Sequence, residues 1–403
     1  MSEQEQKFLT TDKIVLLVSL ITYGIGQSIL YVVFPPIVEQ IGLTKTLFGM
    51  IIATSNIVLA FGAVFWGRKS DTFGRKRTMV VGLFGYAFGT LMLATALEWG
   101  LSGTPTPMVL LGAIMLARIT YASLASAINP AATAYLADTT TKETRSQGMA
   151  LLGMTAGIGT MLGPVIGGTL AFISVVFPMY VAIGLALMSM TLIGLKLKEP
   201  EKHSHDNDKP KAKLSFFDPR ILPFLIAVFI FWMVFSMNQI LAAFYLEQHI
   251  GIEGSAKVAQ AAASVLFSMA IFATITQIVI IGKAGLAPVN MMRIGFPIFA
   301  AGMLVLLLAN SLPWVWVAFA CFGVAMALCS AGTSGGASIS VGPEEQGGVG
   351  GLLSAMPIFG MVAGPLIGPF LFDQFSPTTP VMFALVVLIL LSFYSFTIKV
   401  DRD

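Results

Sequence analysis

Gly157-Ile-Gly-Thr-Met-Leu-Gly-Pro-Val-Ile-Gly-Gly168 lies inside a long apolar run, where glycine and proline would ordinarily be a liability. Gly159, Gly163 and Gly167 fall at i, i+4 and i+8, so on a helix they form one smooth stripe. Such a stripe lets a second helix approach backbone to backbone. Pro164 lacks a backbone donor and predicts a bend at its own level. Locally the stretch reads either as a static tight crossing or as a hinge or seal in a moving membrane protein. The same spacing returns in the second half as Gly360, Gly364, Pro365 and Gly368, with Pro369 where the first copy has Gly168. Glu39-Gln40 before Gly42 likewise returns as Glu247-Gln248 before Gly251. Two matches at similar offsets indicate a duplicated unit in one orientation. Parallel repeats of this kind are a transporter architecture, with the site near the membrane midplane.

Composition agrees. Of 403 residues, 56% are hydrophobic and 11% charged, whereas soluble domains carry about 25% charged residues. About 20 apolar residues cross a bilayer, and twelve such runs can be read, near 14–38, 46–66, 78–97, 108–136, 146–170, 175–195, 221–246, 257–281, 289–310, 312–338, 348–372 and 378–399. The expected fold is therefore an all-α membrane protein of twelve transmembrane helices in two pseudo-symmetric six-helix bundles, residues 1–195 and 221–403. The charged, proline-containing segment 196–220 reads as a cytoplasmic linker. His203 and His205 lie in that solvated tract without organised partners and do not read as a metal site. Cys321 and Cys329 share one apolar run and read as packing residues rather than a disulfide. The polar start and the long first span do not read as a cleavable signal.

Lys and Arg set the orientation. With both termini on one side, that side collects Lys7, Lys13, Arg68, Lys69, Arg75, Lys76, Arg77, Lys142, Arg145, the basic residues of the linker, Lys283, Arg293, Lys399 and Arg402. The other side keeps Lys45 and Lys257. Both termini are expected in the cytoplasm, in a multi-pass protein of the cytoplasmic (inner) membrane.

The loop after the second span reads Gly67-Arg-Lys-Ser-Asp71-Thr-Phe-Gly74-Arg75-Lys76-Arg77, with one acid among five bases. Gly67 and Gly74 would permit a tight turn at the membrane face, and Asp71 would be paired or face a helix N-terminus. A plain positive-inside anchor explains the bases but not two glycines bracketing one Asp. Here the chain resembles the major facilitator superfamily, whose cytoplasmic signature G-x-x-x-D-x-x-G-R-K/R is matched by Gly67, Asp71, Gly74, Arg75 and Lys76. The resemblance covers the whole chain. It implies a conformational latch in which Asp71 meets the start of the span beginning near Gly348, with Arg75 near Asp138. The second-half counterpart, Gly282 to Pro288, has lost its acid, which makes the latch one-sided.

Arg118 is the one charge deep in a span, at an insertion cost of roughly 2.5–3.5 kcal/mol. It must face protein or water. Tyr121 and Asn129 would share its face. The resemblance implies more: proton-coupled drug exporters carry an Arg in this span, leading to a loop Asp and Arg matched by Asp138 and Arg145. The Gln-Gly that often follows that Arg is replaced by Thr120-Tyr121-Ala122. Gly159, Gly163, Pro164, Gly167 and Gly168 resemble the antiporter motif of the same exporters, with Ala150 standing where a further glycine is usual.

No acid is embedded in an N-half span. The first span offers Gln27 between Tyr23 and Tyr31, and the seventh Asn238 and Gln239. Proton coupling is implied by the resemblance, with Glu247 and the Asp71/Asp138 pair as carriers. Phe231, Trp232, Phe235 and Tyr245 could join Tyr31 and Tyr121 in an adaptable apolar wall. An Arg without an acid disfavours cationic substrates. Two transport readings follow: a drug or metabolite exporter using proton antiport, and a dedicated transporter of an anionic metabolite such as a siderophore or carboxylate. A non-transporting receptor is a third reading. No nucleophile–base pair, metal cluster or nucleotide loop is seen, so the expectation is a monomer in the lipid bilayer that is not an enzyme, with a small-molecule substrate, no cofactor and no nucleic-acid partner.

Overall fold

Chain punctuation explains where each helix starts. A computed structural model describes residues 10–140, 144–200, 214–281 and 285–398. Lys7, Lys142, His203, His205, Gly282, Lys283, Lys399, Arg402 and the linker lysines 202, 209, 211 and 213 lie outside that set. The helices are α1 (Thr11–Val33), α2 (Lys45–Phe73), α3 (Arg75–Leu101), α4 (Pro107–Ala125), α5 (Ile128–Asp138), α6 (Arg145–Leu170), α7 (Phe177–Lys196), α8 (Leu222–Gln248), α9 (Ser255–Ile275), α10 (Pro288–Leu308), α11 (Leu312–Ile339), α12 (Gln346–Gln374) and α13 (Thr379–Thr397). Thr10 caps α1 by accepting the Lys13 amide, and Pro35-Pro36 end it by removing two donors. Proline stands in the first turn of α4, α7, α8, α10, α11 and α13, where its missing donor costs nothing.

Among the described residues the structure is entirely helical, and twelve segments are long and apolar enough to cross a membrane. Large apolar side chains such as Phe61, Leu195 and Phe393 are exposed, as a lipid-facing surface requires. The sequence differs from the structure at two spans. The second continues as helix through the signature loop to Phe73, so Gly67 lies inside α2 rather than at a turn, with only an ordinary neighbour at Pro130. Gly74 alone makes the turn, at φ +102°.

The fourth span is two helices, α4 and α5. Ala127 donates to Leu124 instead of reaching the Ser123 carbonyl. That carbonyl accepts instead from the Trp66 indole at 2.8 Å and the Ser126 hydroxyl at 3.1 Å. Side chains thus take over the backbone acceptor that the break exposes.

The chain divides into two compact units, Met1–Leu43 with Thr54–His205, and Thr44–Ala53 with Asp206–Asp403. The first residues of α2 therefore belong with the second unit. In the first unit α1 packs on α6 and α7, and α3 on α4, α5 and α7; in the second, α8 packs on α12, α9 on α11, and α10 on α11 and α13.

The glycine stripe sets the α1–α6 distance. A Cβ on Gly159 would lie 2.7 Å from the Gly24 Cα, and one on Gly163 would lie 2.5 Å from the Ile25 carbonyl oxygen. Ser28 donates to the Gly24 carbonyl of its own helix at 2.9 Å, with the Gly159 carbonyl across the crossing a weaker second acceptor at 3.4 Å. Gly167 has only ordinary contact with Val32, and Gly168 is buried. Pro164 sits within the uninterrupted helix. The second unit repeats the device at α8–α12: a Cβ on Gly360 would lie 2.7 Å from the Met233 nitrogen, Gly364 and Gly368 abut Ser236 and Met237, and Ser236 donates to the Gly360 carbonyl at 3.2 Å. Pro365 lies within α12.

Gly163→Leu is expected to lower the thermal unfolding temperature of the purified protein, by overpacking of about 1–3 kcal/mol or more. Gly153→Ala, where nothing stands within 4 Å, is expected to leave it unchanged. Equal stability of the two variants would remove the close-approach argument.

Candidate functional site

Two missing side chains bring three tyrosines together. A Cβ on Gly26 would collide with the Tyr86 hydroxyl, and one on Gly89 would lie 2.5 Å from the Tyr121 Cβ. With glycine at both positions, α1, α3 and α4 converge within the first unit. Tyr23 meets Tyr86 edge-on at 5.5 Å between centroids, and Tyr86 meets Tyr121 at 5.6 Å. Gln27 donates to the Tyr23 hydroxyl at 2.6 Å.

Arg118 completes the group. It is 6% exposed, donates from Nε to the Ser55 hydroxyl at 3.0 Å, and holds its guanidinium 4.5 Å from the Tyr121 ring centre. A cation over an aromatic face is attracted to the ring quadrupole, and more so when water is excluded. Gln27, Tyr86, Arg118 and Tyr121, with Thr90 and Met179, line a small cavity. The lining holds one cation and no carboxylate. The Tyr121 hydroxyl, fully buried, lies toward Tyr23 without forming a hydrogen bond of good geometry.

Of the sequence candidates, Gln27, Arg118 and Tyr121 meet at this cavity. Tyr31 is half-buried and is not part of the lining. Asn129 is not part of this lining: it is exposed on α5, beyond the break at Ser126–Ala127. Asn238 belongs to a separate small cavity in the second unit, with Tyr245 and Phe319. Its amide donates back to the Val234 carbonyl. Trp232 packs on Phe231 and Phe235, and Gln239 is half-buried; neither lines that cavity.

At the α2–α3 turn, Arg75 is held by two acids, Asp71 at 2.6 Å and Asp138 at 3.0 Å, and donates to Ser70. Asp71 is largely exposed, so that pair contributes little; Asp138 is partly buried beside Arg75. Glu199 accepts from the Arg75 and Lys76 amides and so caps α3, where the helix dipole favours an anion. Arg145 begins α6, and its side chain is outside the described set.

Sequence reasoning missed Ser55, Tyr86 and Glu199, and also Asp373. In the second unit Asp373 accepts from the Thr46 amide at 2.7 Å and its hydroxyl at 2.6 Å, capping α2. Lys45 stands 3.9 Å from the same carboxylate and between the Phe244 and Phe372 rings. The short polar interruption before α2, ending in Thr44-Lys45-Thr46, was the available signal for a capped start, but not for its partner.

A duplicated all-helical membrane fold with an arginine-bearing cavity in one unit is the arrangement of a multi-pass transporter. The family model for the Major Facilitator Superfamily matches residues 16–356, and the chain belongs to that family. It is 26% identical over 390 residues, 95% of either chain, to Multidrug resistance protein 1 of Bacillus subtilis (strain 168). It is 26% identical over 177 residues, 43% of this chain and 40% of that one, to the class B Tetracycline resistance protein of Escherichia coli. Among solved structures, a bacterial homolog to the human lysosomal transporter Spinster, inward-facing and unoccupied, superposes with a TM-score of 0.73 at 13% identity over 95% of both chains. That likeness concerns the fold alone.

Outside the spans of the second unit, Arg220 bonds both Asp218 and Glu345 at 2.8 Å, tying the end of the linker to the start of α12. The Arg220 hydrogen bonds hold both carboxyls below their ordinary range, and the two acids raise Arg220 in turn. A carboxyl whose folded pKa is depressed contributes stability above its unfolded pKa and loses it as pH falls through the folded one. Thermal stability is therefore expected to drop as pH falls below about 4, and Arg220→Gln is expected to flatten that part of the profile. Superimposable profiles would show that the clip contributes nothing.

Proposed function

We propose that this chain is a secondary active transporter of the cytoplasmic membrane that exports drugs or small metabolites in exchange for protons, by alternating access. The observation that carries the reading is Arg118, buried at a cavity inside a membrane-spanning unit. A charge kept there at an insertion cost marks a substrate or ion path by default. The full-length similarity to a multidrug resistance protein supports export of several compounds. In this reading Gln27, Arg118 and Tyr121 belong to the substrate and proton path. The cluster of Arg75 with Asp71 and Asp138, next to Gly67, Gly74, Lys76 and Arg145, is the conformational latch at the cytoplasmic face. The stripes Gly159–Gly167 and Gly360–Gly368 are the close crossings about which each half is built. Protons are the coupling ion, carried by the Asp71/Asp138 pair and Glu247. The chain works as a monomer with both termini in the cytoplasm.

A second reading, a dedicated transporter of an anionic metabolite such as a siderophore or carboxylate, draws support from the same cavity, which offers a cation and no acid.

Proteoliposomes loaded at acid pH and diluted into neutral buffer are expected to accumulate tetracycline or another tested drug, and to fail when the gradient is reversed. Arg118→Ala and Asp71→Asn are each expected to cut the initial rate about tenfold or more. Gradient-independent uptake of every drug tried would end the antiport reading. Full rates in both variants would favour a non-transporting role.

A further inference from the structure

We infer that the cavity of the first unit recognises an aromatic monocarboxylate, with the Arg118 guanidinium as its anion anchor. This rests on that cavity being the substrate site and names the chemistry of what it takes. Among the described residues only Nε of Arg118 is hydrogen-bonded, to Ser55, so both terminal nitrogens keep their donors. Ser55 and the Tyr121 ring fix the guanidinium plane from two directions. A fixed planar fork with free donors fits a carboxylate in two parallel hydrogen bonds.

A second polar group belongs to the same lining, on the residue whose ring holds the guanidinium and whose hydroxyl lies toward Tyr23. The Tyr121 hydroxyl is 2% exposed as a residue, borders the cavity, and lacks a bond of good geometry. Buried hydroxyls are ordinarily satisfied, and a carboxylate oxygen is an acceptor for it. Gln27 spends one of its two amide hydrogens on Tyr23. An amine or quaternary ammonium would bring a second cation beside Arg118 with no acid in the lining to offset it.

The remaining wall is apolar and aromatic: the Tyr86 ring, Leu93, Ile29 and Met179. An apolar, aromatic wall beside one cation suits a ligand of one ring and one charged group. A single guanidinium balances one negative charge, hence a monoanion. A larger exported compound would place its acidic, ring-bearing end here.

The test is equilibrium binding to the full-length protein in lipid nanodiscs, by calorimetry and thermal shift, with benzoate, benzamide and benzylamine. These share a ring and differ in charge. Benzoate is expected to bind about tenfold or more tighter than benzamide, and benzylamine not at all. Arg118→Gln should reduce benzoate to the benzamide level, and Arg118→Lys, which keeps the charge but loses the fork, should fall between. Benzamide or benzylamine matching benzoate in the unmodified protein would overturn the inference, as would a benzoate preference that survives in Arg118→Gln. Should Arg118→Gln fail to fold, Tyr121→Phe keeps the ring and removes the hydroxyl; a several-fold loss for benzoate with benzamide unchanged supports the site, and no loss refutes it. No gradient enters this measurement. Failure of proton-driven export would leave a benzoate site standing, and absence of the site would leave export untouched.

Discussion

The α1–α6 crossing allows no side chain at its centre, and the first unit is arranged about that fact. Gly24 and Gly159 meet backbone to backbone, with Gly163 against the Ile25 carbonyl. In lipid there is little hydrophobic gain in bringing two helices together, so close packing and interhelical hydrogen bonds must do it. Ser28, which donates first to Gly24 on its own helix, adds only a weak shared bond to the Gly159 carbonyl. With α1 held at that distance, Tyr23, Gly26 and Gln27 face the tyrosines of α3 and α4. The second unit solves the same problem with the same parts, Ser236 against Gly360 on α8 and α12. Recurrence of a serine bridge over a glycine stripe, in two units with otherwise different side chains, argues that the crossing itself is what duplication preserved.

Burial of Arg118 becomes tolerable through neighbours rather than through a counter-ion. A hydroxyl takes one donor and an aromatic face takes the plane. That arrangement leaves the cation sheltered and still short of acceptors. Had an acid closed the pair, the cavity would be electrically finished and would offer a ligand little. The contrast with Arg75 and Arg220 is instructive, since each of those is bonded to two carboxylates at a membrane face. At those surfaces the arginine is consumed in holding helix ends; inside the unit it is kept available.

Those two surface clusters also show how far a motif reading carries. The signature loop led to Arg75, Asp71 and Asp138, but α3 is capped by Glu199, a residue that sits in what the sequence presents as linker. In the second half the corresponding loop has lost its acid, and an unrelated trio, Asp218, Arg220 and Glu345, ties the linker end to α12. Capping and ion pairing at helix ends depend on which chain ends lie nearby, and charge runs alone do not reveal that.

Twelve apolar runs, the duplicated glycine-proline spacing and the single embedded arginine were all legible in the chain. Each is a local property: length against bilayer thickness, helical period, and the cost of charge in hydrocarbon. Residues 126–127 mark where that legibility stops. The fourth span is seamless in hydropathy, yet Trp66 and Ser126 take the Ser123 carbonyl, the helix breaks, and Asn129 is exposed beyond the break while Arg118 is buried before it. Ser55, Tyr86 and Asp373 lay in plain sight and carried no period or motif to single them out. Their roles arise from helix packing that places residues far apart in sequence within bonding distance. The chain by itself determined that it is a two-fold helical membrane protein with one costly charge inside. Tertiary structure decided what surrounds that charge, because partners across helices are set by register and close approach rather than by neighbours in sequence.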